Sequence, residues 1–416
     1  MSPLQSDKEI KQALVEHLSW WGLRRFDTDE AYFRWQRETL SAGELADLQR
    51  LAERKRSAEA SAEVAFYDRA ADARILPVLY SQRYDYYINV GLPVAEQIGA
   101  LCGGGMSGST VLDFGCGIGL LTGFYARQFP ALSFVGLDRS PASISVARER
   151  ARALGLANVR FDCVDVEAAP CLEPVHLVLS THALLQAEQE PGLPSLDWRT
   201  FERGEDPEAQ ARFEKRTGLG LRLDRLCAWL APDGLLIVFE KARLLARRVP
   251  FQRAFASRGF RLLERPLPIR YPVVEEVTDD GPLYVMTRSQ SGEAGRRREG
   301  VEWDEAPEAL EEPDSMEPPG SAPAQGADSA TTPLYENHFP SAQSVWERLP
   351  HRTVLKETTW EGADGYRMHV ELGTTDGLLY LYQANTFDQR QLVLVEPERS
   401  ALLEQYYQEI VEERQK

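Results

Sequence analysis

Thr110-Val-Leu-Asp-Phe-Gly-Cys-Gly-Ile-Gly-Leu-Leu-Thr122 decides the fold of this 416-residue chain. The apolar run Val111–Asp113 reads as a buried strand, the alternating glycines Gly115, Gly117 and Gly119 as a turn, and the apolar segment beyond them as a helix. Glycine has no Cβ, so the backbone turns sharply and a ligand can approach the N–H groups that open the helix. The dinucleotide fingerprint G-x-G-x-x-G needs its third glycine one position later, where Leu120 stands. The turn therefore reads as a cradle for a nucleotide-like ligand other than a dinucleotide.

Working outward, Phe134–Asp138, Val159–Asp162, Leu177–Ser180 and Leu235–Glu240 read as further strands alternating with helices. That pattern predicts an α/β fold with a mostly parallel sheet covered on both faces. Ser140-Pro141 supplies an N-cap and a proline at the first helical position, and Gly155 closes that helix. Three acids recur at strand ends. Asp113 ends the first strand, Asp138 ends the second and Asp165 follows the third, while Ala231-Pro-Asp-Gly234 turns into the fifth.

Taken together, Val-Leu-Asp-Phe-Gly-Cys-Gly-Ile-Gly, Phe-Val-Gly-Leu-Asp-Arg-Ser, Phe-Asp-Cys-Val-Asp-Val and Leu-Ala-Pro-Asp-Gly-Leu-Leu-Ile-Val resemble the class I S-adenosylmethionine-dependent methyltransferases. The resemblance runs from about Val94 to Arg288. It implies a Rossmann-like, seven-stranded sheet and S-adenosylmethionine as cofactor. It also assigns roles. Gly115, Cys116, Gly117 and Gly119 would line the amino-acid end of the cofactor, with Asp113 holding its ammonium group or orienting the loop. Asp138, with Arg139 beside it, would accept from both ribose hydroxyls. Asp165 would accept from the adenine amino group, with Asp162 as a competing carboxylate, and the Val166 N–H would face a ring nitrogen. Ser180 would end the fourth strand where methyl group and acceptor meet.

Methyl transfer from a sulfonium is an in-line displacement, so positioning does much of the work, and a base is needed only if the accepting atom must lose a proton. His182 directly follows the fourth strand and is the best placed of the six histidines to be that base, although capping a helix or lining a pocket is an equal use for it. Tyr86, Tyr87, Trp198 and Glu240 are candidates to touch substrate. The two tyrosines lie upstream of the glycine turn, where packing competes with binding, and Glu240 ends the fifth strand next to Lys241. Trp198 falls in the long polar excursion 186–217, which reads as a lid or binding loop. No Asn-Pro-Pro-Tyr-type motif follows the fourth strand, so the usual signature for methylating nitrogens in nucleic acid is missing.

The formal charge of −17, from 64 acidic against 47 basic residues, opposes binding to a phosphate backbone. The five cysteines lack C-x-x-C spacing, which suggests neither a zinc site nor a disulfide framework, and no metal is expected. No apolar run approaches the roughly 20 residues of a membrane span, and no signal pattern opens the chain, so the expected location is cytoplasmic.

Four segments follow. Residues 1–93 read as a helical cap, with Ser6-x-x-Glu9 and Ser41-x-x-Glu44 fitting capping boxes, and 94–288 as the cofactor domain. Residues 289–333 carry eleven acids and three arginines in a Pro/Ala/Glu-rich run and read as a disordered linker. Residues 334–416 read as a small α+β module with strands at Val354–Trp360, Tyr366–Leu372, Leu378–Tyr382 and Gln391–Val395 and a final helix. That module offers a dimer edge, a peptide-binding surface or only a packed sheet. The reading is thus a methyltransferase acting on a small molecule or a carrier- or peptide-bound metabolite. The alternatives are a protein methyltransferase whose C-terminal module recognises the target, and a scaffold that binds the cofactor without turnover.

Overall fold

The computed structural model describes residues 7–55, 60–103, 108–165, 173–186, 190–273, 276–288, 303, 333–338 and 340–413. The expected linker 289–333 lies outside the described residues except for Trp303 and Pro333, and so does Val166. The chain divides into two compact units. The first comprises Met1–Glu190, Ala211–Arg243 and Phe251–Trp303, and the second Pro191–Gln210, Leu244–Pro250 and Asp304–Lys416.

The first unit is built on an eight-stranded sheet. Its strands are β1 (Thr110–Phe114), β2 (Ser133–Asp138), β3 (Val159–Cys163), β4 (Val175–Thr181), β5 (Leu230–Phe239), β6 (Phe260–Leu262), β7 (Leu267–Val273) and β8 (Glu276–Arg288). They run in the order β3-β2-β1-β4-β5-β8-β6, with β7 paired to β8 as a hairpin. That hairpin is the strand beyond the expected seven. The five strands from β3 to β5 are parallel, and β8 runs antiparallel to β5. The chain passes from β1 outward to β3 and then returns to β4 on the other side of β1. This reversal leaves a crevice beyond the carboxyl ends of β1 and β4, the usual ligand position in open parallel sheets.

Side-chain alternation splits the strands between two cores. Val111, Leu177, Leu179 and Ile237 pack with Leu14, Leu18, Trp21, Val90 and Phe124 on one face. Leu112, Val178, Leu236 and Val238 pack with Leu223, Leu226, Trp229 and Phe251 on the other. With both faces covered, the strands read as nearly continuous apolar runs. Each fully buried Leu or Val contributes about 1.5–3 kcal/mol. The N-terminal helices therefore share the core of the sheet, which is why they belong to the same compact unit.

Local expectations hold where a side chain closes a helix end. Ser140 Oγ accepts from the Ser143 N–H at 3.0 Å at the start of helix Pro141–Ala153. Ser41 and Glu44 complete a capping box at helix Ala42–Lys55, with the Ser41 N–H donating to Glu44 Oε2 at 2.8 Å. The expected turn at Ala231–Gly234 instead lies inside β5 as an irregularity, where the pairing with β4 shifts register and Asp233 takes a φ of 59°.

The second unit holds an antiparallel sheet of β9 (Tyr335–Asn337), β10 (Thr353–Glu361), β11 (Arg367–Thr375), β12 (Leu378–Asn385) and β13 (Arg390–Val395) in the order β10-β11-β12-β13-β9. Asp376 and Gly377, with φ of 43° and 84°, tighten the β11–β12 connection to two residues. Leu403 and Tyr407 of helix Ser400–Glu413 cover Met368, Val370 and Leu381 on one face. Trp198 joins Ala342 and Val345 over Tyr380, Tyr382 and Leu394 on the other.

Part of the polar excursion is thus a structural layer of this unit. Trp198 stacks on His369 with centroids 4.0 Å apart, Ser195 N–H donates to the Thr386 carbonyl at 2.7 Å, and Arg390 Nη2 donates to the Trp198 carbonyl at 2.7 Å. Arg203 forms a buried ion pair with Asp388, which also accepts from the Ala246 N–H at 2.5 Å. Among the described residues no helix is long and apolar enough to cross a membrane.

Candidate functional site

The crevice of the first unit holds a cavity whose wall begins at the glycine turn. Gly115, Gly117 and Gly119 all lie in the left-handed region, at φ of 76°, 53° and 72°. A Cβ at Gly115 would come 2.3 Å from the Ala183 Cβ, whereas one at Gly117 would meet nothing within 4 Å. The first glycine lets β1 turn beneath the β4 loop. The second leaves open space where a ligand can approach the backbone.

Asp113 is buried at the end of β1 and accepts from Thr122 Oγ1 at 2.5 Å. Burial pushes its carboxyl up to about 6, with the Thr122 hydroxyl opposing and the Asp138 charge adding to the rise. Asp138 ends β2 and accepts from the Ser140 N–H at 2.8 Å through Oδ1 and from the Gly117 N–H at 2.9 Å through Oδ2. Burial raises its carboxyl too, against the pull of those two N–H groups. Each oxygen keeps a lone pair, so the group can hold the turn and still accept from a ligand. Asp165 lines the same cavity beyond β3. Asp162, its competitor, instead lies on the outer surface against Arg160 and Arg148.

Two carboxylates raised by burial, with a third beside them, suit a ligand rich in donors and positive charge. An α-ammonium, a ribose diol and an adenine amino group supply three such sets of donors, so the residues present fit S-adenosylmethionine. Cys116 and Arg139 also line the cavity. The Cys116 thiol is pushed up by burial and by the neighbouring acids, which keeps it an unreactive small wall residue. Arg139 is ion-paired with Glu63, a cavity residue on helix Ala60–Ala70.

His182 sits one residue past β4, at a φ of 56° uncommon for anything but glycine. Its ring stacks on Tyr86 at 5.3 Å and lies 5.1 Å from Phe239, and its Nε2 is 3.1 Å from Asp280 Oδ2. Asp280 accepts in turn from the Tyr271 hydroxyl. Burial lowers the His182 imidazole below its usual value, and Asp280 only partly offsets this, so the ring is neutral near pH 7. Burial works to raise Asp280, but His182 and the Tyr271 hydroxyl outweigh it and hold the carboxyl at about 2. The Asp280 carboxylate, 3.1 Å from Nε2 without a hydrogen bond to the ring, favours the imidazolium once a proton arrives.

The cavity brings together Tyr86, Tyr87, Asp113, Gly115, Cys116, Gly117, Asp138, Arg139, Asp165 and His182. It does not include Ser180, Glu240 or Trp198. Ser180 is fully buried within the sheet, paired in register with Phe114 and Val238, because alternation turns it to the opposite face from Thr181, which does line the cavity. Glu240 Oε1 accepts from the Ala183 and Leu184 N–H groups at 2.6 Å each, so its carboxylate supports the loop behind His182. Trp198 is packed in the second unit. Gly119 sits at the helix entry, tight against Phe161 and Ala147. Sequence reasoning missed Glu63, Tyr67, Arg83, Thr181 and Arg222 on the wall and Asp280 behind it.

Residues 106–238, under half of the chain, match the family described as a methyltransferase domain. A 57-residue stretch is 40% identical to a malonyl-[acyl-carrier protein] O-methyltransferase of Paenibacillus sp. (strain JDR-2), covering 14% of this chain and 21% of that protein. A 71-residue stretch is 34% identical to the protein of the same name from Anoxybacillus flavithermus (strain DSM 21510 / WK1), covering 17% and 26%. The chain thus spans about a quarter of the length of these curated relatives. Among solved structures, magnesium protoporphyrin IX methyltransferase from Synechocystis PCC 6803 with bound SAH superposes with a TM-score of 0.35 at 14% identity, covering 50% of this chain and 86% of that one.

Proposed function

We propose that this protein transfers a methyl group from S-adenosylmethionine to a small-molecule or carrier-bound acceptor, with His182 as the proton acceptor; the match of residues 106–238 to a methyltransferase domain supports the reading. The observation that carries the reading is one cavity lined together by the glycine turn, Asp113, Asp138, Asp165 and His182. The names of the curated relatives favour a carrier-bound acid as acceptor.

When bound, the cofactor supplies an electrophilic methyl group on a sulfonium. Asp113 would accept from the ammonium end, Asp138 from the ribose hydroxyls and Asp165 from the adenine amino group. The ring of Tyr86, stacked on His182, shields the acceptor side from water and limits the positions a nucleophile can take. His182 takes the nucleophile's proton, and the Asp280 carboxylate 3.1 Å from its Nε2 stabilises the imidazolium that results. Tyr271 keeps the Asp280 carboxylate in place through its hydroxyl. An acceptor that is already anionic needs no proton removed, and His182 then serves only as part of the wall.

Incubating the full chain with methyl-labelled S-adenosylmethionine and a size-fractionated cell extract tests this reading. Label in the small-molecule fraction, or on a carrier through a group that base releases, is the expected result. Label on side chains of larger proteins would favour a protein methyltransferase. No label in any fraction, with the cofactor demonstrably bound, would favour a binding scaffold. The arrangement of the C-terminal sheet fits a dimer or a recognition module equally well, and nucleic acid as acceptor is disfavoured by the net charge of −17.

A further inference from the structure

Arg83 differs from the other cations of the cavity wall. Arg139 is paired with Glu63, and Arg222 donates to the Leu184 carbonyl at 2.9 Å and the Ala183 carbonyl at 3.3 Å. Among the described residues no carboxylate, carbonyl or hydroxyl accepts from the Arg83 guanidinium. Its Cζ lies 6.0 Å from the centroid of the Tyr86 ring, and Tyr67, Tyr80 and Tyr87 share the wall with it. Tyr86 is the ring that stacks on His182, which places Arg83 toward the acceptor end.

A guanidinium turned into a ring-lined cavity without a counter-charge is unfavourable until a ligand supplies one. Its planar fork matches the two oxygens of a carboxylate, and aromatic faces beside it suit a flat acid group. The wall's own acids are committed elsewhere, since Asp113 and Asp138 lie at the glycine turn, each hydrogen-bonded there. A cavity that holds both this guanidinium and a sulfonium gathers two positive charges, so an anion between them lowers the energy of the ternary complex.

We infer that Arg83 binds an anionic group of the methyl acceptor: the acceptor carries a carboxylate, held bidentately by Arg83 and flanked by Tyr86 and Tyr87 beside His182. This rests on the methyltransferase reading of the same cavity. It restricts the acceptor to acids, excluding neutral alcohols, amines and thiols that have no carboxylate.

The test uses the full chain saturated with S-adenosylhomocysteine, titrated with acetate, propionate and benzoate and with their primary amides, followed by ligand-observed NMR. At least one acid should bind tenfold or more tightly than its amide. Arg83→Met should abolish that preference while changing S-adenosylhomocysteine affinity by less than twofold, and Arg83→Lys should restore part of it. Acids and amides behaving alike, including no binding of either, would overturn the inference. So would an Arg83→Met protein that loses tenfold in affinity for S-adenosylhomocysteine but not for an analogue lacking the carboxylate, since Arg83 would then be reading the cofactor. If the wild-type chain fails to bind S-adenosylhomocysteine at all, it is the methyltransferase reading that fails.

Discussion

Asp113, Asp138 and Asp165 reach the cavity from the ends of three successive parallel strands, whereas Tyr86, His182 and the hairpin pair Tyr271 and Asp280 are gathered from three segments far apart in the chain. The first side is fixed by backbone geometry. Each acid stands where a strand stops, and the glycine turn is held by the Asp138 carboxylate. The second side is fixed by side-chain contacts, with one histidine ring packed against the mutually touching rings of Tyr86 and Phe239 and set beside a carboxylate. A side set by backbone suits a ligand that does not vary. A side set by side chains can be retuned to another acceptor without disturbing the sheet.

Substitutions should therefore separate the two sides. The largest effect is expected from His182→Gln, which should lower kcat for an acceptor that must lose a proton by about 10²–10⁴-fold and leave cofactor affinity within twofold. Unchanged turnover with such an acceptor would remove the base. Gly115→Val forces a side chain into φ 76° and onto Ala183. The backbone strain alone is about 1–3 kcal/mol, so urea denaturation should show a lower midpoint, and cofactor binding should weaken as well. Asp138→Ala should weaken cofactor binding by roughly 1.5–3 kcal/mol, the scale of hydrogen bonds to a charged group, with the preference among acceptors intact.

Asp280→Asn tests how the second side is braced. Asp280 raises the His182 imidazole, so its loss should lower that group further and move the acidic limb of the kcat profile to lower pH. The rate on the plateau should fall by about tenfold, as the imidazolium formed in the reaction loses the carboxylate beside it. A profile that does not move would make Asp280 merely structural.

The smallest effect concerns Asp113. Burial raises its carboxyl to about 6, so in the free protein it is protonated below that pH and cannot pair with an ammonium. Cofactor affinity should accordingly fall as pH drops through about 6, and Asp113→Asn should bind more weakly but with this pH dependence removed. The same raised value means that Asp113 favours the folded, ligand-free chain at low pH. That contribution is lost as pH rises through about 6.

The contrast also explains what could be read from the chain. β1 to β5, the glycine turn and the acids at strand ends were legible because each is a local pattern: an apolar run, a positive-φ position, a carboxylate beside a turn. His182 was legible only as the residue after β4. Asp280 was not, because a hairpin return brings it to His182 and no local spacing records that return. Glu63 and Tyr67 come from helix Ala60–Ala70 and Arg83 from the turn just before helix Tyr84–Gly103, segments whose own sequences fit simple packing. Ser180 was placed one residue early, and period-two alternation then turned the expected contact to the wrong face.

Trp198 was misread for a different reason. A polar excursion inside a compact domain looks like a lid, yet Leu378-Leu-Tyr-Leu-Tyr382 is apolar on both faces and so needs two covers. One is the final helix. The other includes Trp198, which the chain supplies from far upstream and fixes through Ser195, Arg203 and Arg390.

The central claim is that the cavity at the glycine turn holds S-adenosylmethionine, and calorimetric titration of the full chain with this compound tests it most directly. Saturable binding with one molecule per chain, weakened by Asp138→Ala and by lowering the pH through about 6, is the predicted result. No heat and no shift in thermal midpoint, on protein shown by circular dichroism to be folded, would contradict it.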